Sequence, residues 1–307
     1  MSGSPITAIM PAHVLTLVAA TDPLDPAFVE TVRSALSRLG AHIDRIVWLD
    51  EARACDLFYD DLNDDQADAA ARDTIGARSI DCFAQTTVDR RKRLLLADME
   101  STLIENELLD DLAAAIGVGA KVSQITARAM NGELDFTQAL EARVSLLAGT
   151  DACILEEIAR GIRYMPGAAA LIATMARSGA ETVIVSGGFD VFTARVASAL
   201  GVDHHNGNRL DIADGRLTGR IVPPVLTRES KYKALVEGAA ARNLPLSATL
   251  AVGDGANDLD MIAAAGLGVA YHAKPILAAR AQWRIDHADL TALLYAQGYR
   301  AEEIIRP

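Results

Sequence analysis

The stretch Leu94-Leu95-Leu96-Ala97-Asp98-Met99-Glu100-Ser101-Thr102 decides the fold of this chain. Four apolar residues without alternation suit a strand buried on both faces of a parallel sheet, and the run stops abruptly at polar residues. In an open α/β sheet a strand ends this way at its carboxyl edge, where ligands bind. Two further runs repeat the pattern: residues 182–185 (TVIV) lead into Ser186-Gly187-Gly188, and residues 249–252 (TLAV) into Gly253-Asp254-Gly255-Ala256-Asn257-Asp258. A fourth run, residues 268–271 (GVAY), reads as another strand.

Helical patterns fill the intervals. Leu108, Leu112 and Ile116 recur at helical spacing, and that pattern continues to about residue 163 as a block inserted after the first strand. Pro166 and Gly179 bracket another helix, and one more spans about 189–200. Asp214-Gly215 between alternating residues predicts a hairpin turn. Strand and helix in alternation predict an α/β fold with a mostly parallel sheet wrapped by helices.

Towards the N-terminus, residues 14–20 and 43–49 read as strands, and residues 26–39 as a helix stopped by Gly40. This predicts a small α/β domain over 1–85 and a main domain over 86–307. Asp56, Asp60, Asp61, Asp64, Asp65 and Asp68 are expected on a solvated helix face or loop. Residues 74–93 read as a connection whose basic end, Arg90-Arg91-Lys92-Arg93, is a wet lead-in to the buried strand. His204-His205 reads as a solvated loop pair, because no third ligand lies at helical or hairpin spacing.

A chain of 307 residues exceeds what a single core usually fills, so more than one packed unit is expected. The net charge of -12, with fourteen acidic residues against six arginines over 1–82, argues against non-specific nucleic-acid binding. Cys55, Cys82 and Cys153 form no C-x-x-C pair, which argues against a zinc knuckle or disulfide framework and suits a reducing cytoplasm. The N-terminus has no basic flank leading into an apolar run, and no apolar stretch is long enough for a bilayer, so neither a membrane nor export is expected. A homo-oligomer is compatible with these features.

The strand ends carry the chemistry. Asp98 and Glu100, two residues apart, can share one side of extended chain, one to attack and one to move protons. Asp254 adds a carboxylate from another strand, and three such groups repel one another unless a cation sits among them; hard oxygen ligands suit Mg²⁺. Ser186 and its glycines leave N–H groups free at a helix start, a ready anion site, and Lys231 adds a mobile positive charge. The glycines at 253–255 lack the Lys-Ser/Thr of a nucleotide-binding loop, so ATP is not implied. Together these parts suit a phosphate monoester, whose cleavage needs a positioned nucleophile, charge neutralisation and a proton donor.

In order, Asp98-x-Glu100-x-Thr102, Ser186-Gly-Gly, Lys231 and Gly253-Asp254-Gly-x-Asn257-Asp258 resemble the four motifs of the haloacid dehalogenase-like superfamily, across roughly residues 92–290. Within it, Glu105-Asn106-Glu107, Leu134-Asp135-Phe136 with Arg143, and Asn208-Arg209-Leu210 are similar to the phosphoserine phosphatases. The resemblance implies a Rossmann-like core with a small helical cap at about 110–165, and O-phospho-L-serine as substrate. It implies an aspartyl-phosphate on Asp98, with Mg²⁺ held by Asp98, Asp254 and the Glu100 backbone carbonyl, while the Glu100 side chain acts as acid and then base. Ser186, the Gly187 N–H and Lys231 would hold the phosphoryl oxygens, Asn257 and Asp258 would orient the phosphate, Lys231 or a metal-bound water, and Thr102 would be a supporting residue. Glu107 would meet the substrate ammonium, Arg143 its carboxylate, and Phe136 and Met130 would line the lid. Lys233 competes with Lys231, but the motif favours Lys231.

The chain departs from the family pattern at Glu100, where Asp is usual. One extra methylene extends the carboxylate by about 1.5 Å, which leaves open slow turnover or altered transfer chemistry; a phosphatase for another small phosphate ester and a phosphotransferase to an alcohol such as homoserine are the rival readings of the same machinery. The N-terminal unit resembles an amino-acid-sensing ACT module, which leaves open a non-catalytic amino-acid-binding regulator.

Overall fold

The computed structural model of the chain describes residues 11–130 and 133–307. Its contacts divide it into two units: Met1–Arg91 with Ile285–Ile304, and Lys92–Arg284 with Ile305–Pro307. One cut near residue 85 is expected from the sequence, but residues 285–304 return to the first unit. The return has a physical cause. The buried Asp81 carboxylate accepts the N–H groups of Asp286 (2.9 Å), His287 (3.3 Å) and Ala288 (2.8 Å), and Gln85 Nε2 and Arg90 Nε donate to the Ala296 carbonyl.

The first unit runs β1 (His13–Ala19), α1 (Pro26–Arg38), β2 (His42–Asp50), β3 (Ala54–Asp60), α2 (Asp64–Ile75) and β4 (Ile80–Thr86). Its sheet is antiparallel in the order β2-β3-β1-β4, a split β-α-β-β-α-β arrangement. Asp25 caps α1 through the Phe28 N–H, and Asn63 caps α2 through that of Gln66. The acidic run is therefore not one solvated face. Asp56 lies inside β3, 1 % exposed, where Arg90 grips it with two bonds of 2.7 Å and Thr16 donates at 2.8 Å. The expected connection over 74–93 contains β4, and its basic end is partly buried, since Lys92 is 5 % exposed and donates to the Ser247 carbonyl. Local charge density misleads here because the buried partners are distant in sequence.

The second unit begins with β5 (Leu94–Ala97), followed by α3 (Leu108–Ala115), α4 (Gly119–Met130), α5 (Phe136–Ser145) and α6 (Ile154–Arg160), the helical block expected after the first strand. Next come α7 (Ala168–Arg177), β6 (Glu181–Phe189), α8 (Asp190–Leu200), β7 (His204–Ala213), β8 (Arg216–Val222), α9 (Arg228–Ala241), β9 (Thr249–Gly253), α10 (Leu259–Ala264), β10 (Leu267–Tyr271), α11 (Pro275–Ala278) and β11 (Trp283–Ile285); α12 (Ala292–Ala296) belongs to the first unit. The sheet order is β11-β10-β9-β5-β6-β7-β8. Strands β10, β9, β5, β6 and β7 are parallel, and β8 turns back on β7. The turn is at Asp214 and Gly215, both at positive φ (50° and 73°), as a tight hairpin requires. His204 and His205 lie on β7 rather than in a loop; His204 pairs with Glu181, and His205 Nδ1 lies 3.0 Å from Thr193 Oγ1.

The register levels the strand ends. Ala97 pairs with Ile184 on one side and Val252 on the other, so Asp98, the Ser186 loop and Asp254 leave the sheet together. Leu94, Leu96, Val185, Leu235, Ala251 and Met261 pack beneath them as a dry floor. Among the described residues no helix is long and apolar enough to cross a membrane.

Candidate active site

Asp98 is the first residue beyond β5, and its N–H still donates to Val252 O at 3.0 Å, continuing the sheet. Its Oδ1 accepts the Met99 N–H at 2.7 Å, while Oδ2 faces Lys231 Nζ at 2.8 Å. Lys231 sits in the first turn of α9, on the face turned inward. Lys233, two residues on and so across the helix, pairs instead with the exposed Glu229. Lys231 Nζ also meets Asp258 Oδ1 at 2.7 Å. Burial disfavours the lysine charge, but Asp98 and Asp258 outweigh it and raise its pKa, keeping the ammonium charged.

Asp258 is fully buried and its Oδ2 accepts the Gly255 N–H at 3.0 Å. A β-carbon at Gly253 would stand 2.3 Å from Asp258 Cγ, so only glycine lets this carboxylate close in on the strand. Asp254 is 5 % exposed, and burial together with the Asp98 charge raises its pKa. Carboxylate oxygens of Asp98, Asp254 and Asp258 lie within 4.8 Å of one another. Three hard oxygens this close suit a small divalent cation. The third side chain in the cluster is Asp258, expected only to orient, whereas the Glu100 side chain turns elsewhere. Its Oε1 accepts the Leu108 N–H at 2.8 Å at the start of α3. Burial, then the Glu107 charge, push its carboxyl from an ordinary 4.5 up to about 8.

Ser186 is 1 % exposed and its Oγ accepts the Gly188 N–H at 2.9 Å; residues 186–188 lie within β6, ahead of α8, so that N–H is not free at a helix start as the sequence pattern suggested. Asn208 on β7 braces that segment, donating to the Gly187 carbonyl and accepting the Leu226 N–H, both at 2.8 Å. Thr102 is buried with its hydroxyl unpartnered, while its N–H donates to the Met99 carbonyl at 3.3 Å.

Above these groups lies a cavity of about 480 Å³ lined by Asp98, Glu100, Ser186, Gly187, Asp254 and Asn257 on the core side, and by Glu107, Phe136 and Arg143 on the helical side. Asp135 and Gln138 form a capping box that sets Phe136 as the first residue of α5. Its ring then lies over Gly187, where a β-carbon would stand 3.1 Å from Phe136 Cζ. Arg143 is half-buried, with Nε donating to Ala139 O at 3.2 Å. Glu107 Oε1 accepts the Ser101 hydroxyl at 2.8 Å. The Met130 side chain lies outside the described residues. Lys274, which the sequence reading did not single out, also lines the cavity, with Nζ 3.0 Å from Asp254 and 3.6 Å from Glu107. Its signal was available, since it follows β10, a fourth strand ending at the same edge.

The haloacid dehalogenase-like hydrolase family matches residues 95–263. Over 286 residues the chain is 39 % identical to the phosphoserine phosphatase of Streptomyces coelicolor, covering 92 % of this chain and 70 % of that one. A crystal structure of a probable phosphoserine phosphatase from Vibrio cholerae superposes with a TM-score of 0.78 at 32 % identity, covering 97 % of this chain and 90 % of that one. A phospho-aspartyl intermediate analogue of phosphoserine phosphatase superposes at 0.62 with 40 % identity, covering 67 % and 98 %.

Proposed function

The chain belongs to the haloacid dehalogenase-like hydrolases, and we propose that it is a phosphoserine phosphatase, releasing L-serine and phosphate from O-phospho-L-serine. The observation that carries this reading is the meeting of Asp98 with Lys231, Ser186 and two further aspartates at one sheet edge, beneath a cavity that also presents Glu107 and Arg143. An amino-acid ester needs one anion for its ammonium and one forked cation for its carboxylate. Glu107 and Arg143 supply them. The phospho-aspartyl analogue among the similar structures supports an acyl-phosphate route.

In this reading an Asp98 carboxylate oxygen attacks phosphorus and the bond from phosphorus to the serine oxygen breaks. Glu100, protonated at neutral pH by its raised pKa, gives its proton to that oxygen. Glu100 then takes a proton from water as the water oxygen attacks the phosphorus of the aspartyl-phosphate, and Asp98 departs as a carboxylate. Ser186, the Gly187 N–H and Lys231 hold the phosphoryl oxygens through both steps. Asp98, Asp254 and Asp258 fit Mg²⁺, which when bound would neutralise phosphoryl charge.

The test is inorganic phosphate release from O-phospho-L-serine, with Mg²⁺ and with chelator, beside other small phosphate esters and with acceptor alcohols added. Magnesium-dependent release favouring phosphoserine is expected, with no phosphoenzyme trapped on Asp98→Asn. Preference for another ester would discard the substrate and keep the nucleophile; label on Asp98→Asn would discard the nucleophile.

A further inference from the structure

Glu100 is held from two sides. One carboxylate oxygen accepts the Leu108 N–H at 2.8 Å, and the other lies so close to Gly188 that a β-carbon there would stand 2.9 Å from Oε2 and 3.2 Å from Cδ. Leu108 is the first residue of α3, and the N–H of a first helical residue has no partner within its own helix. Glu100 therefore takes a donor that the helix leaves free. An aspartate here would end about 1.5 Å short, too far back to hold the same bond without moving the backbone.

We infer that Gly188 and the Leu108 N–H are positioning groups for Glu100. The start of α3 draws one oxygen of the longer side chain, and the bare Cα of Gly188 gives room for the other. The glutamate is thereby folded back to where the leaving oxygen must receive its proton. The inference rests on the phosphatase reading above, and it ties the first helix of the inserted block to proton delivery.

Leaving groups separate this role from a structural one. A serine oxygen must be protonated as it departs, whereas p-nitrophenolate leaves without help. In the full chain, Gly188→Ala should lower kcat on O-phospho-L-serine by about 10²-fold, the loss that roughly 1 Å of misplacement can bring. KM should stay near its parent value, and so should the first-turnover burst of p-nitrophenolate from p-nitrophenyl phosphate, which is over before Glu100 is needed as the base for water. In a Glu100→Asp background the shorter carboxylate clears the new methyl, so Gly188→Ala should cost far less there, a non-additive cycle.

Leu108→Pro deletes the N–H at a helical position that proline suits, and should give the same split between the two esters. Melting curves establish which variants fold, and Leu108→Pro decides the matter if Gly188→Ala does not. Equal losses in the first-turnover release of serine and of p-nitrophenolate, or additive losses in the cycle, would overturn the positioning role in favour of damage to the Ser186 loop. If the parent cleaves another alkyl phosphate but not phosphoserine, the proposed substrate falls, while the same split read on that ester still decides the inference. A parent inactive on every ester overturns both.

Discussion

The Lys231 ammonium lies 2.8 Å from Oδ2 of Asp98, with neither side chain more than 7 % exposed. Either charge alone would be costly so far from water, and each is the other's partner. Asp258, 2.7 Å from the same ammonium, makes Lys231 the counter-charge of two buried acids at once.

Replacing that lysine should therefore cost stability as well as rate. Lys231→Met is expected to lower the unfolding free energy by about 3–5 kcal/mol, the usual result of stranding a buried charge. It should also slow phosphate release by about 10²–10³-fold, as for loss of one oxyanion donor. Urea unfolding in chelator and release assays measure the two separately. A variant as stable as the parent would show that Lys231 does not balance the buried charge of this cluster.

Glu100 links stability to pH. Its ordinary value is 4.5 and its folded value about 8, so between them the folded chain holds a proton that the unfolded chain has released. Its stabilising contribution is complete below the lower value and is lost as pH rises through the higher one. In chelator the melting temperature should fall across that interval, and less steeply for Glu100→Gln, which has no proton to lose. Parallel slopes for the two proteins would remove Glu100 from the account.

In the first unit, Arg90 and Asp56 are 11 % and 2 % exposed and share two bonds. Arg90→Met should destabilise that unit by about 3–5 kcal/mol, because Asp56 is left buried without its ion-pair partner. Adding Asp56→Leu should recover most of the loss. Urea midpoints of the single and double variants measure the difference, and a double variant as weak as the single would mean that packing around Arg90, rather than the ion pair, is what matters.

The strands that build the site were legible because their signal is local. Leu94–Ala97 and the two neighbouring apolar runs announce buried strands by themselves, and their polar endings announce the carboxyl edge of the sheet. Lys231 was separable from Lys233 only through a motif; the structure supplies the reason, which is that two helical positions face opposite ways.

Asp56 and Asp60 share one strand, yet one is buried on Arg90 and the other is not, and the arginine that decides it lies 34 residues on. Residues 285–304 join the first unit because Asp81, two hundred residues earlier, needs their N–H groups. Lys274 joins the site because β10 ends beside β9.

Composition, periodicity and ordered motifs by themselves determined the class of fold, the sheet edge at which the polar strand ends meet, and Asp98, Ser186, Lys231 and Asp254 as the candidates gathered there. Each of these depends on residues near one another in the chain. Tertiary structure alone decided which carboxylates cluster, that Asp258 rather than the Glu100 side chain joins them, and that Glu100 rests between Leu108 and Gly188. Burial and pairing of a charge depend on partners brought from afar, and only the folded chain supplies them.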